Sequence, residues 1–78
     1  MKIIRTGPRG GRKTVAKLDN TTAEAAYERL KELASKEANH REDVRHIALI
    51  NQYVPREGEA HIVGNYHNTM AVYSQVWA

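Results

Sequence analysis

The chain has 78 residues, no cysteine and a formal net charge of +3. A chain of this length makes one domain with a thin core, burying about 60–65% of the surface it exposes when unfolded. The lack of cysteine excludes a disulfide framework. No window approaches the roughly 18 apolar residues of a membrane span. Met1-Lys2-Ile3-Ile4-Arg5 is too short an apolar run for a secretion signal. A soluble, cytoplasmic protein is expected, away from membranes.

Lys2-Ile3-Ile4-Arg5 reads as a short strand. Gly7-Pro8-Arg9-Gly10-Gly11 is the only Gly-rich stretch and marks a turn or mobile loop. Thr14-Val15-Ala16-Lys17-Leu18 reads as a second strand. The simplest connection makes the two a hairpin with a basic tip. Residues 1–18 hold six bases (Lys2, Arg5, Arg9, Arg12, Lys13, Lys17) and no acid. The remaining residues hold the other six bases and all nine acids. That asymmetry is the strongest partner signal in the chain: a basic arm suits phosphates or an acidic protein surface. Charges that only keep a loop solvated would look the same.

The clearest element is a helix over residues 22–38. Thr21, followed three residues later by Glu24, has the form of a capping box. Ala23, Ala26, Tyr27, Leu30, Ala34 and Ala38 recur at spacings of three and four and line one face, which Leu33 widens. Glu24, Glu28, Lys31, Glu32 and Lys36 take the other side, with Glu32 and Lys36 forming an i,i+4 pair. Asn39 is the expected stop.

The period then changes. Residues 45–54 are β-rich, and Pro55-Arg56-Glu57-Gly58 reads as a turn. A strand over 59–66, a turn at 67–69 and a last strand over 70–77 complete a meander. The expected fold is α+β: one amphipathic helix on an antiparallel sheet, order ββαβββ, in a single domain. Pairing Val54 with Glu59 sets Ile47 opposite Tyr66, Leu49 opposite Gly64 and Asn51 opposite Ile62. Ile47, Leu49, Tyr53, Ala60, Ile62 and Tyr66 then share the face under the helix. A three-residue turn at 67–69 adds Met70, Val72 and Val76 to that face. A two-residue turn adds Ala71, Tyr73 and Trp77 instead, and the sequence leaves both open. The second face keeps Ala48, Ile50, Val54 and Val63, and one helix cannot cover it, so an apolar patch is expected there.

Catalytic patterns are missing. Residues 7–14 read Gly-Pro-Arg-Gly-Gly-Arg-Lys-Thr, but Arg12 stands where a phosphate-binding P-loop needs its second Gly. The register sets His46 opposite His67 with His61 on their face, but neither Cys nor acid completes a zinc set. Ser35 and Ser74 lack a nucleophile elbow. No carboxylate pair has a reason for separated pKa values. A non-enzyme without cofactor or metal is expected.

Three binding readings remain. The half-covered sheet and the aromatics Tyr53, Tyr66, Tyr73 and Trp77 point to a protein partner, because Tyr, Trp and Arg dominate interface energetics. The free-standing plan of strands, a Thr-capped Ala/Glu-rich helix opening at Asn20-Thr21-Thr22-Ala23-Glu24-Ala25-Ala26, and a meander to the last residue resembles small phage-encoded inhibitors of the anti-CRISPR type. That resemblance spans the whole chain and is architectural. It implies occlusion of a host CRISPR effector complex, a ribonucleoprotein, with its DNA recognition blocked. The basic charge argues against DNA mimicry, since a mimic is acidic. The alternative is direct nucleic-acid binding through phosphate contacts from Arg5, Arg9, Arg12, Lys13 and Lys17. Against it, no aromatic RNA-binding motif or recognition helix appears. A third reading is a homodimer through the uncovered face or an edge strand at 70–77. The expected contact residues are Arg5, Arg9, Arg12, Lys13, Tyr73 and Trp77.

Overall fold

A computed structural model describes residues 1–78. Its elements are β1 (Lys2–Thr6), β2 (Arg12–Lys17), α1 (Ala23–Asn39), β3 (Val44–Ile50), a 3-10 turn (Pro55–Glu57), β4 (Glu59–Gly64) and β5 (Thr69–Val76). One helix packs on a five-stranded antiparallel sheet, in the chain order ββαβββ read from the sequence. Across the sheet the strands run β2-β1-β5-β4-β3.

This order corrects one expectation. The 70–77 strand is not an edge, because β5 lies between β1 and β4. The reason lies in β1, whose adjacent Ile3 and Ile4 are both buried while pointing to opposite faces. A strand buried on both faces needs neighbours on both sides, and β2 and β5 supply them. The true edges are β2 and β3. The chain must therefore cross the whole sheet between them, four strand spacings or about 19 Å. A 17-residue helix spans about 25 Å, so α1 has the length to make that crossing.

The cap is Thr22, not Thr21: the Ala25 amide donates to Thr22 Oγ1 at 3.1 Å. Asn20 adopts a left-handed φ of 54°, which Asn tolerates, and so delays the start by one residue. Glu24 consequently sits one position too early to close a capping box. Glu32 pairs with Arg29 rather than Lys36, at 2.7 Å.

The β3–β4 register is displaced by four residues from the expected one. Ile47 faces Ile62 and Leu49 faces Ala60. An even displacement keeps faces, so Ile47, Leu49, Ala60 and Ile62 still lie under the helix. Tyr53 and Tyr66 do not: β3 stops at Ile50 and β4 at Gly64, leaving the two rings 91% and 92% exposed. Asn51, with a left-handed φ of 55°, follows β3 directly, and the turn after β4 closes at His67 with φ 62°. His46 accordingly faces Val63, and His67 sits in a turn. On β5, Ala71 faces Ile62 and Tyr73 faces Ala60, which settles the open register in favour of the Ala71/Tyr73 set.

The core joins Ile3, Ala60, Ile62, Ala71 and Tyr73 of the sheet to Tyr27, Leu30 and Ala34 of the helix. Four of the ten buried hydrophobics are alanines, so the helix lies close to the strands. The Tyr27 ring reaches to Gly58, where a Cβ would stand 2.6 Å from Cδ1 and Cε1. Gly58→Ala is therefore expected to cost about 1–3 kcal/mol in urea denaturation. Gly11→Ala, with nothing within 4 Å of its Cβ, is expected to change stability little.

Candidate functional site

The β1–β2 hairpin carries the charge asymmetry into space. Its tip forms a hydrogen-bonded turn: Gly10 N–H donates to Gly7 O at 3.0 Å and Gly7 N–H to Gly11 O at 2.8 Å. Pro8 presets the turn, and Gly10 takes the left-handed φ of 86° that closes it. Arg9 projects from this tip and is exposed, as are Arg12 and Lys13 on the strand that follows.

Arg5 is the exception among the cations. Its Nε and Nη2 donate to Glu37 Oε1 and Oε2 at 2.7 and 2.9 Å. Arg41 Nη1 donates to Oε2 at 2.9 Å, and the Tyr73 hydroxyl donates to Oε1. Arg41 also forks onto Asp43. Four donors thus converge on one largely enclosed carboxylate, and the partly buried Arg5 is tied to the helix rather than free.

The other five hairpin cations, Lys2, Arg9, Arg12, Lys13 and Lys17, make no ion pair. Lys2 and Lys17 face each other directly across β1 and β2. A like-charge cross-strand pair is destabilising, and an anion resting between the two would offset it. Both line a shallow cleft of about 300 Å³ together with Met1, Asp19, Val76 and Ala78. Because Ile3 points into the core, Lys2, Lys17 and Arg12 share the uncovered face with Thr6 and Thr14.

That face is mixed rather than the plain apolar patch expected. Ile4 is 7% exposed, closed over by neighbours on the face. Val72, Val63 and Ala48 are half-buried. His61 and Glu59 form a pair at 2.8 Å beside them. No group of three or more His, Cys, Asp or Glu gathers as for a metal ion, and no helix is long and apolar enough to cross a membrane.

The aromatic candidates lie elsewhere than expected. Tyr73 is a core residue, 5% exposed and hydrogen-bonded to Glu37, because the register turns it under the helix. Trp77 is half-buried, with the Arg56 guanidinium 4.4 Å from its ring centroid and its indole N–H on Gln75 Oε1 at 3.0 Å. Gln75 in turn donates to Pro55 O and Gly58 O, so this corner fastens the 3-10 turn to β5. The free ring near the basic tip is Tyr66. Thr6 at the end of β1 faces Val72, and β5 begins at Thr69, so the 7–11 tip and the 65–68 turn lie at one end of the sheet. Arg9, Arg12, Lys13, Tyr66 and His67 share that end. The sequence pattern sets Tyr66 under the helix only because it extends β4 two residues too far.

No known protein family matches the chain, and no curated protein or solved structure is significantly similar to it.

The Glu37 cluster sets a pH response. The Arg5 hydrogen bonds hold the Glu37 carboxyl down at about 2 against an ordinary 4.5, outweighing its burial, with help from Tyr73 and Arg41. The unfolded chain then binds the proton more readily, so this stabilisation is complete above about 4.5 and lost as pH falls toward 2. Denaturation midpoints measured across that window should fall steeply for the wild type. They should fall less for Glu37→Gln, which starts lower by about 1.5–3 kcal/mol through loss of charged hydrogen bonds.

Proposed function

We propose that the protein is a non-catalytic binding protein whose partner presents phosphates beside a protein surface. The first reading is a phage-type, anti-CRISPR-like inhibitor that docks on a host CRISPR effector complex and blocks its DNA recognition. One observation carries it: one hairpin holds five cations without an ion pair, and three of them, Lys2, Arg12 and Lys17, lie on a half-apolar sheet face that no element of the chain covers. A guide-loaded effector offers both surfaces at once, sugar-phosphate backbone for the cations and protein for Val72, Val63 and Ala48. A cytoplasmic setting accompanies this reading.

The second reading is binding to free nucleic acid. Tyr66 at the basic end favours it, since an exposed ring stacks on an unpaired base while arginines hold the flanking phosphates. No other exposed aromatic lies at that end, so affinity there would come mainly from phosphate contacts and carry little sequence preference.

Anisotropy of labelled single- and double-stranded oligonucleotides, run in parallel with capture by guide-loaded effector complexes, separates the two. The first reading predicts capture by an effector at physiological salt with weak binding to free strands. The second predicts tight binding to free strands. In either case, changing Arg9, Arg12 and Lys13 to Ala should weaken binding. For free single strands it should also reduce the slope of log K against log salt by about 2. Binding that ignores the triple change would refute both.

A further inference from the structure

The sheet has two edges, and the chain treats them differently. Natural edges are protected by charge, because a row of unpaired N–H and C=O groups is a template for another strand. The β2 edge is protected: Arg12, Lys13 and Lys17 fall within its six residues. Antiparallel pairing of β2 with its own copy about the strand centre would set Arg12 opposite Lys17 twice, a repulsive arrangement.

The β3 edge carries such protection only at its start, where Arg45 lies. Residues 46–50 read His-Ile-Ala-Leu-Ile, with no Lys, Arg, Asp, Glu or Pro. Leu49 and Ile50 are 39% and 37% exposed. The one irregularity, a bulge between Val44 and His46, is confined to the start of the strand and leaves 46–50 regular. This stretch combines high β-propensity with low charge, the composition of strands that pair with their own copies.

From this contrast we infer that the protein forms a two-fold symmetric dimer by antiparallel pairing of β3 with β3 of a second copy. This inference is independent of the function proposed above. A pairing centred on Ala48 sets Ala48 opposite its own counterpart, Ile47 opposite Leu49, and His46 opposite Ile50. Every exposed apolar side chain of 46–50 thereby gains an apolar or aromatic neighbour. Arg45, the nearest charge, falls opposite the neutral Asn51. Self-pairing is thus free of like-charge contact at β3 and not at β2, which selects a second copy as the occupant and closes the assembly at two chains. The two sheets of five strands would join into one, with the basic hairpins at its outer ends about 45 Å apart. A phosphate-bearing partner would then meet two cationic clusters.

Sedimentation equilibrium from low micromolar to sub-millimolar protein tests this. The expected wild-type result is a concentration-dependent rise from 8.8 kDa to twice that mass. Ala48 lies on the uncovered face, opposite His61, so a charge there points away from the core. Ala48→Lys and Ala48→Glu should each stay monomeric, and an equimolar mixture of the two should restore the dimer. Hydrogen exchange on the wild type gives a second readout that needs no variant: β3 amides should gain protection with concentration and β2 amides should not. A wild type that remains monomeric throughout would overturn the proposal. So would a dimer that survives in both variants, a mixture that fails to pair, or protection that rises at β2 instead.

Discussion

The Glu37 carboxylate is where the layers of this domain meet. It sits at the end of the helix's buried stripe, one helical step beyond Leu30 and Ala34, where another apolar residue would ordinarily fall. Instead, Arg5 from β1, Tyr73 from β5 and Arg41 from the loop before β3 all donate to it. Those three residues come from the N-terminal hairpin, the central strand and the far edge of the sheet. A thin core with four alanines among its ten buried hydrophobics contributes little side-chain contact area. A polar hub saturated with donors ties helix and sheet together in addition to these apolar contacts. Saturation matters, because an enclosed carboxylate with missing donors destabilises rather than orients.

The hub also divides the basic hairpin into two kinds of cation. Arg5 faces the helix side and is consumed by Glu37. Lys2, Arg12 and Lys17 face away from the helix, Arg9 stands on the tip, Lys13 is exposed on the edge strand, and none is ion-paired. The net charge of +3 understates this, since the helix pairs its own charges at Arg29–Glu32 and Lys31–Glu28. Those pairs neutralise the helix surface. The hairpin keeps the chain's densest run of cations outside any ion pair, where a partner can reach them.

Much of the fold was legible in the sequence, and the limits have physical causes. The helix, the hairpin and the three-strand meander announce themselves through period and turn chemistry. The strand order does not, because adjacent Ile3 and Ile4 reveal an interior strand only once both are known to be buried. Helix–strand side assignment survived a register error of four residues because the error was even. Tyr53 and Tyr66 were lost to strands that end sooner, with Asn51 and His67 left-handed in the turns that follow, which local pattern does not signal for His. The Glu37 hub carried a faint signal, an acid three residues after Ala34 on the apolar stripe. Its partners Arg5 and Tyr73 lie 32 and 36 residues away, and no local pattern joins them. The same long-range pairing removed Arg5 and Tyr73 from the expected contact set while leaving Arg9, Arg12 and Lys13 in solvent.

The central proposal is that Arg5 serves the fold, while Arg9, Arg12 and Lys13 at the hairpin tip are free to meet a partner. The most direct measurement is nitrogen–proton shift mapping of the labelled protein, including the arginine Nε–H signals, as a single-stranded oligonucleotide is added. The account predicts shifts at residues 7–13 and 65–68 and at the Arg9 and Arg12 side chains, while Arg5 Nε–H, held on Glu37, stays in place. Movement of the Arg5 signal, or shifts gathered on the exposed face of α1, would contradict it.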